Sequence, residues 1–231
     1  MKKHIEEKLE KYQSLSKEEL AKKFKCLPEE ICMGDYIARN TKDKVCPYKV
    51  IMGFADFENS QCRSLGDLEV VFGRKFQDSY GPLTDTKGES VYLGINLRNS
   101  YIIDTENLKQ VYGSITLHKD TKTLGNIEFL GSNLYLNGTR VVNLGNLKEV
   151  AGRLNLEDID ACGGIKSHSK VKKIGTLYID SRKLQDLGDC VTIENVIYGP
   201  HCNKRTVNLI ESNFVRAHGK YKRELIENVT V

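Results

Sequence analysis

Short bursts of alternating apolar and polar residues recur along the chain at an even step. Ile95/Leu97, Ile115/Leu117, Leu134/Leu136 and Leu154/Leu156 are pairs of the form L-x-L, 19 or 20 residues apart. Upstream, Ala55/Phe57 fits the same series, and the slot between falls on Lys75-Phe76-Gln77, which is irregular. Downstream come Leu177/Ile179 and Val196/Tyr198, the first after a longer step containing "ACGGIKSHSKVKK", read as an inserted corner loop. A second set of apolar positions follows each pair, ending in "LGN" or "LGD" at Leu65, Leu124, Leu144 and Leu187. Self-similarity at a period near 20 is the signature of a stacked repeat. Such a unit cannot close a core alone. The L-x-L pair is strand-like, with both apolar side chains on one side. Glycine with Asn or Asp supplies the bends. Stacked units pair their strands in a parallel sheet at about 4.8 Å per strand, and about eight coils would make a rod on the order of 40 Å long.

The motif "L-x-L-x-x-T-x-V-x-x-L" stands best at Leu134–Leu144. From Phe54 to Tyr198 the chain resembles the leucine-rich-repeat-like solenoids of bacterial and phage proteins and the related receptor L-domain type of β-helix. That resemblance implies a right-handed parallel β-solenoid of α+β class, with helical caps at both ends. The common leucine-rich repeat carries Asn where Thr139 stands. Ser60, Ser100, Asp120 and Ile159 occupy the equivalent places here, so the Asn ladder is broken and a straighter coil is expected.

The organisation expected is an N-terminal helical cap over 1–48, a solenoid over 49–199 and a C-terminal helical cap or basic tail over 200–231. Ser16 with Glu19 three positions on is a capping box, and Leu20 and Phe24 follow at helical spacing. Pro28 opens a further short helix that Gly34 stops. Leu209, Ile210 and Phe214 share a helical face, and after Gly219 the pattern resumes at Leu225 and Ile226.

Charge adds one asymmetry. The net charge is +4, yet residues 1–50 hold 12 Lys/Arg against 9 acids and residues 200–231 hold 6 against 3, so both ends are basic. No apolar run is long enough to cross a bilayer, and no secretory leader is visible; the expected location is cytoplasmic. The seven cysteines, an odd number, read as reduced thiols. A zinc site from Cys26, Cys32, Cys46 and Cys62 lacks the close pairs that zinc favours. His201-Cys202 beside Cys190 is a second arrangement that folding could bring to a metal. No cofactor is expected.

No catalytic motif is present: neither G-x-S-x-G nor a phosphate-binding G-x-x-x-x-G-K-S/T occurs. Glu58, Glu157 and Asp180 are expected on separate coils, too far apart for paired-carboxylate chemistry. The remaining candidate is surface. Residues beside the leucine pairs face outward, and Arg98, His118, Tyr135, Asn137, Glu157, Tyr178 and Asp180 are the candidate partner-binding set. Tyr and Arg are the types that anchor interfaces. The expectation is a non-catalytic protein–protein interaction module. Resemblance to phage and mobile-element repeat proteins suggests an inhibitor that occludes a host defence complex, as anti-CRISPR proteins do. The alternative is binding of nucleic acid or a ribonucleoprotein through the basic ends, with Lys204, Arg205, Arg216, Lys220, Lys222 and Arg223 as contacts.

Overall fold

The computed structural model describes residues 3–78, 81–82, 92–136, 138–157, 170–180, 192–200 and 222–225, with parts of 202–210. The chain winds as a parallel β-solenoid, and each turn lays down two short strands joined at a bend. The first column contains Ile31–Cys32, Val50–Ile51, Val70–Val71, Gln110–Val111 and Phe129–Leu130, then the opening residues of three long strands, Glu149–Glu157, Lys173–Asp180 and Thr192–Tyr198. The second column contains Tyr36–Ile37, Ala55–Asp56, Tyr92–Asn96, Ser114–Thr116 and Leu134–Tyr135, then the later residues of the long strands.

In the second column the leucine pairs stand in file. Ala55 pairs with Ile95, Ile95 with Ile115, Ile115 with Leu134, Leu134 with Leu154, Leu154 with Leu177 and Leu177 with Val196. Both members of every pair are buried in one continuous core. At about 25 cal/mol per Å² of apolar surface removed from water, this file is a principal source of cohesion between turns.

About six turns are regular, fewer than the eight coils expected. First-column partners Ile31, Val50, Val70, Gln110, Phe129, Glu149, Lys173 and Thr192 are separated by 19, 20, 40, 19, 20, 24 and 19 residues. The 40-residue turn absorbs the irregular slot. Arg74–Lys75 leaves the stack to pair antiparallel with Tyr92–Leu93, and Gln77–Asp78 pairs antiparallel with Gly81–Pro82. Lys75 and Gln77 offer no apolar pair to the core, so that slot is not a rung and Ala55 pairs directly with Ile95.

Three corners repeat. Between the columns stand Gly113, Gly131, Gly152 and Gly175, where consecutive turns approach so closely that a Cβ on Gly131 would collide with the Tyr112 carbonyl. After the second column comes a hydroxyl ladder. The hydroxyls of Thr41, Ser100 and Thr139 donate to the carbonyls of Ala38, Leu97 and Leu136 at 3.0, 2.8 and 2.7 Å. Each also accepts an N–H from two residues on, in Asp43, Ile102 and Val141, as Ser60 does from Cys62. Hydroxyls replace amides at these corners, each bonding its own turn, but the series is interrupted at the Asp120 turn, where the Thr121 hydroxyl is buried with no hydrogen-bond partner among the described residues; Ile159 lies outside the described residues. The third corner carries the "LGN" motif. The side chains of Ser64, Asp104, Thr123 and Asn143 accept the N–H of the residue two on, at Gly66, Glu106, Gly125 and Gly145. "TENL" at 105–108 fills this corner without glycine, with Glu106 at a φ of 45°.

The N-terminal helices, α1 (Lys3–Gln13) and α2 (Lys17–Phe24), do form, and the capping box is in place: the Ser16 hydroxyl accepts the Glu19 N–H and the Glu19 carboxylate accepts the Ser16 N–H. They are not an end cap. Ile5, Leu9, Leu20 and Ala21 pack with Val50, Met52, Val70, Phe72 and Tyr112, the outward residues of the first column. Phe72 stacks on Tyr112 with centroids 4.9 Å apart, and Tyr12 lies 4.9 Å from Phe72. The outer side of this sheet is apolar over several rungs, and the helices cover its flank. Residues 28–30 form one 3-10 turn, not a helix to Gly34; Ile31–Cys32 and Tyr36–Ile37 are already rungs, so the stack begins within residues 1–48. At the other end Lys222–Leu225 pairs in parallel with Asn195–Tyr198 and adds a rung where a helix was expected. The architecture is mostly β.

The close approach at the glycine bend gives a direct prediction. Gly131→Ala should lower unfolding free energy by about 1–3 kcal/mol through overpacking against backbone. Gly138→Ala, at a φ of 70° with open space around it, should cost only about 1–2 kcal/mol of left-handed strain. Urea unfolding of both variants measures the contrast; a Gly131 variant as stable as wild type would contradict the stacking.

Candidate ligand groove on the outer sheet face

Residues between and beyond the leucine pairs form the outward side of the second column. Two forces hold them still. The pleat fixes their direction, and the first polar residue of several rungs clamps its own chain: Asp56, Asn96 and Asn155 accept the N–H of Glu58, Arg98 and Glu157 at 3.0, 3.1 and 2.8 Å. The Asn96 amide also donates to Asp56 and Glu58, 3.1 Å each, tying one rung to the previous one.

The candidate partner residues divide along the axis. Arg98 and Tyr135 are exposed and border one groove. The Tyr135 hydroxyl accepts from the Asn133 amide at 3.1 Å. His118 is turned inward: its side chain is 13% exposed and Nδ1 accepts the Asp120 N–H at 3.1 Å, so it serves its own turn. Glu157 and Asp180 are register partners on adjacent strands, which overturns the expectation that they are too far apart to pair. The 20-odd residues between them are one turn, and one turn is a single strand spacing. Tyr178 is half-buried between these charges, and burial first, then the Asp180 and Glu157 carboxylates, push its hydroxyl pKa up. Asn137 lies outside the described residues.

Along this face Glu58 stands at one end beside Asp56, which is buried and 3.9 Å from the Arg39 guanidinium; Arg98 and Lys119 stand in the middle, and Glu157 and Asp180 at the other end. The middle is a groove of about 470 Å³ bordered by Arg98, Thr116, Leu117, Lys119, Tyr135 and Thr139. Lys119 was invisible to strict alternation. It follows His118 at the corner, where the two-residue period ends, and the turn carries it to the same side as Arg98.

Of the basic C-terminal candidates, Lys204 and Arg205 are exposed in a helical segment. Lys222 and Arg223 belong to the added rung, paired with Asn195 and Val196. Arg216 and Lys220 lie outside the described residues.

Among the described cysteines, Cys46, Cys62 and Cys202 sit in the core, and Cys26 and Cys32 are partly buried. Cys46 and Cys62 are buried, and their thiols donate to the carbonyls of Tyr48 and Ser64. Burial pushes the Cys46 thiol up to about 12 and raises Cys62 as well. Cys32, partly buried, donates to the Gly34 carbonyl at 3.4 Å. Among the described residues no three His, Cys, Asp or Glu side chains converge as metal ligands. His201 and Cys190 lie outside them, and Cys202 donates to the Ile179 carbonyl at 2.9 Å. No described helix is long and apolar enough to cross a membrane.

No family model matches the chain, and neither do curated proteins or solved structures.

A buried thiol with a raised pKa is a poor nucleophile. Cys46 should therefore resist a thiol reagent at pH 8 in the folded chain and react fully in denaturant, read by mass spectrometry of the labelled peptides. Raising the pH should release Cys46 only as it approaches about 12 or as the chain opens. Rapid labelling of Cys46 at pH 8 would contradict its placement.

Proposed function

We propose that the chain is a non-catalytic binding module that engages another protein through the outer face of the second column. The observation that carries this reading is the fixed spacing of side chains on a rigid sheet. Asn96 pairs with Thr116, Tyr135 with Asn155 and Glu157 with Asp180, so side chains are presented at one strand spacing per step, about 4.8 Å, with Arg98 and Lys119 in the middle and the Glu157–Asp180 carboxylates beyond them. Charge patterns of this kind select partners and fix their register. Exposed Tyr135 and half-buried Tyr178 supply aromatic anchors of the type that dominates binding energy. A rigid face of this kind also suits an inhibitor that acts by occlusion, which is the narrower form of the same proposal. The clamps on Asp56, Asn96 and Asn155 support a preformed surface, since ordering costs met during folding are not met again on binding.

The test compares tagged wild type with a Tyr135→Ala/Tyr178→Ala variant in capture from lysate of the cell that makes the protein, with and without nuclease and at low and high salt. The expected result is a protein partner that survives nuclease and binds the folded variant about 30-fold or more weakly, the effect of losing an anchor. Recovery of RNA or DNA that nuclease and high salt abolish would replace this reading with nucleic-acid binding through the basic ends. A partner that binds the variant as well as wild type would move the interface elsewhere.

A further inference from the structure

The groove in the middle of the face is bordered by two cations. These are Arg98 and Lys119, and no carboxylate is among the described residues that line it. Nearby acids are engaged elsewhere: Asp120 lies 3.3 Å from the Arg140 guanidinium, and Glu58 accepts from Asn96. Among the described residues neither Arg98 nor Lys119 forms an ion pair. Thr116 and Tyr135, both exposed, line the same space.

Two cations without a counter-charge match a dianion. A guanidinium offers a planar fork that fits phosphate oxygens bidentately, and an ammonium adds a mobile point charge. A phosphate monoester carries about −1.5 to −2 at neutral pH, whereas a carboxylate would leave one cation unmatched. Size points the same way. A volume of about 470 Å³ lies within the roughly 300–1,000 Å³ of small-molecule sites and exceeds what a bare phosphate needs. The Tyr135 ring, 41% exposed, offers an apolar wall on which a flat group can lie.

We propose that this groove binds an aryl phosphate monoester, its phosphate held between Arg98 and Lys119 and its ring against Tyr135. The same chemistry reaches the groove as a free small molecule or as a phosphotyrosine side chain. The proposal goes beyond partner recognition by the whole face and is tested on the isolated chain, so its failure leaves the capture result intact.

Calorimetric titration of the full chain with phenyl phosphate, inorganic phosphate and benzoate tests it. Phenyl phosphate should bind saturably with one site, about tenfold or more tighter than inorganic phosphate, because only it reaches the wall. It should also bind tenfold or more tighter than benzoate, which has the ring but half the charge. Arg98→Gln and Lys119→Gln, both at exposed positions, should each weaken it about tenfold or more, the scale of a charge-assisted hydrogen bond. Lys204→Gln should leave it unchanged, and circular dichroism should show all three variants folded. A phosphotyrosine peptide that binds more tightly than phenyl phosphate identifies a protein-borne source; equal affinity identifies the free ligand. Absence of saturable phenyl phosphate binding, affinity equal to benzoate, or no effect of Arg98→Gln and Lys119→Gln would overturn the proposal.

Discussion

Consecutive turns of this chain lie one strand spacing apart because their backbones bond to one another in register, and that bonding tolerates nothing between the turns at the inner bend. Gly113, Gly131, Gly152 and Gly175 stand where a Cβ would strike the backbone of the turn before. Every later feature inherits this spacing. The leucine file closes because each pair sits over the last. The corners after the second column fall one above the other, and there the hydroxyls of Ser60, Ser100 and Thr139 each bond the backbone of their own turn. The cation pair of the groove comes together because Arg98 and Lys119 stand on neighbouring rungs, about 4.8 Å apart in strand spacing, although 20 residues separate them in sequence.

The repeat was legible from the alternation at Ile95/Leu97 through Leu154/Leu156, since a period of two inside a period of 20 leaves few architectures open. The lateral helices were not. Their helical periodicity was plain, but their destination depends on Val50, Val70, Phe72 and Tyr112. These sit beside core residues in the first column, where apolar runs such as "VVF" do not alternate. Without alternation the run reads as wholly buried, and nothing in sequence says that half of it faces two helices. The overcount of coils has in part a similar cause. Spacing alone places a slot at 75–77, where the sequence lacks the apolar pair that makes a rung.

The site was half legible. Alternation placed Arg98 and Tyr135 outward correctly, and their position on one groove followed from register. It also sent His118 outward, where the local bond to the Asp120 N–H turns the ring in. It missed Lys119 for the same reason: corners end the two-residue period, and side-chain direction there is set by turn hydrogen bonds rather than by the pleat. Treating distance along the chain as distance in space also hid the Glu157–Asp180 juxtaposition. In a solenoid, residues one full turn apart are neighbours.

The most direct measurement of the stacking is a disulfide ruler across the second column. Tyr135 and Asn155 are register partners, within the Cα separation of about 4.4–6.8 Å that a disulfide spans. Asn96 and Asn155 stand three rungs apart, about 14 Å at this spacing. Under mild oxidation a Tyr135→Cys/Asn155→Cys variant should close its bond, read by peptide mass mapping, while an Asn96→Cys/Asn155→Cys variant should stay open. An open first pair or a closed second pair would contradict the in-register stack on which the groove and the binding face both depend.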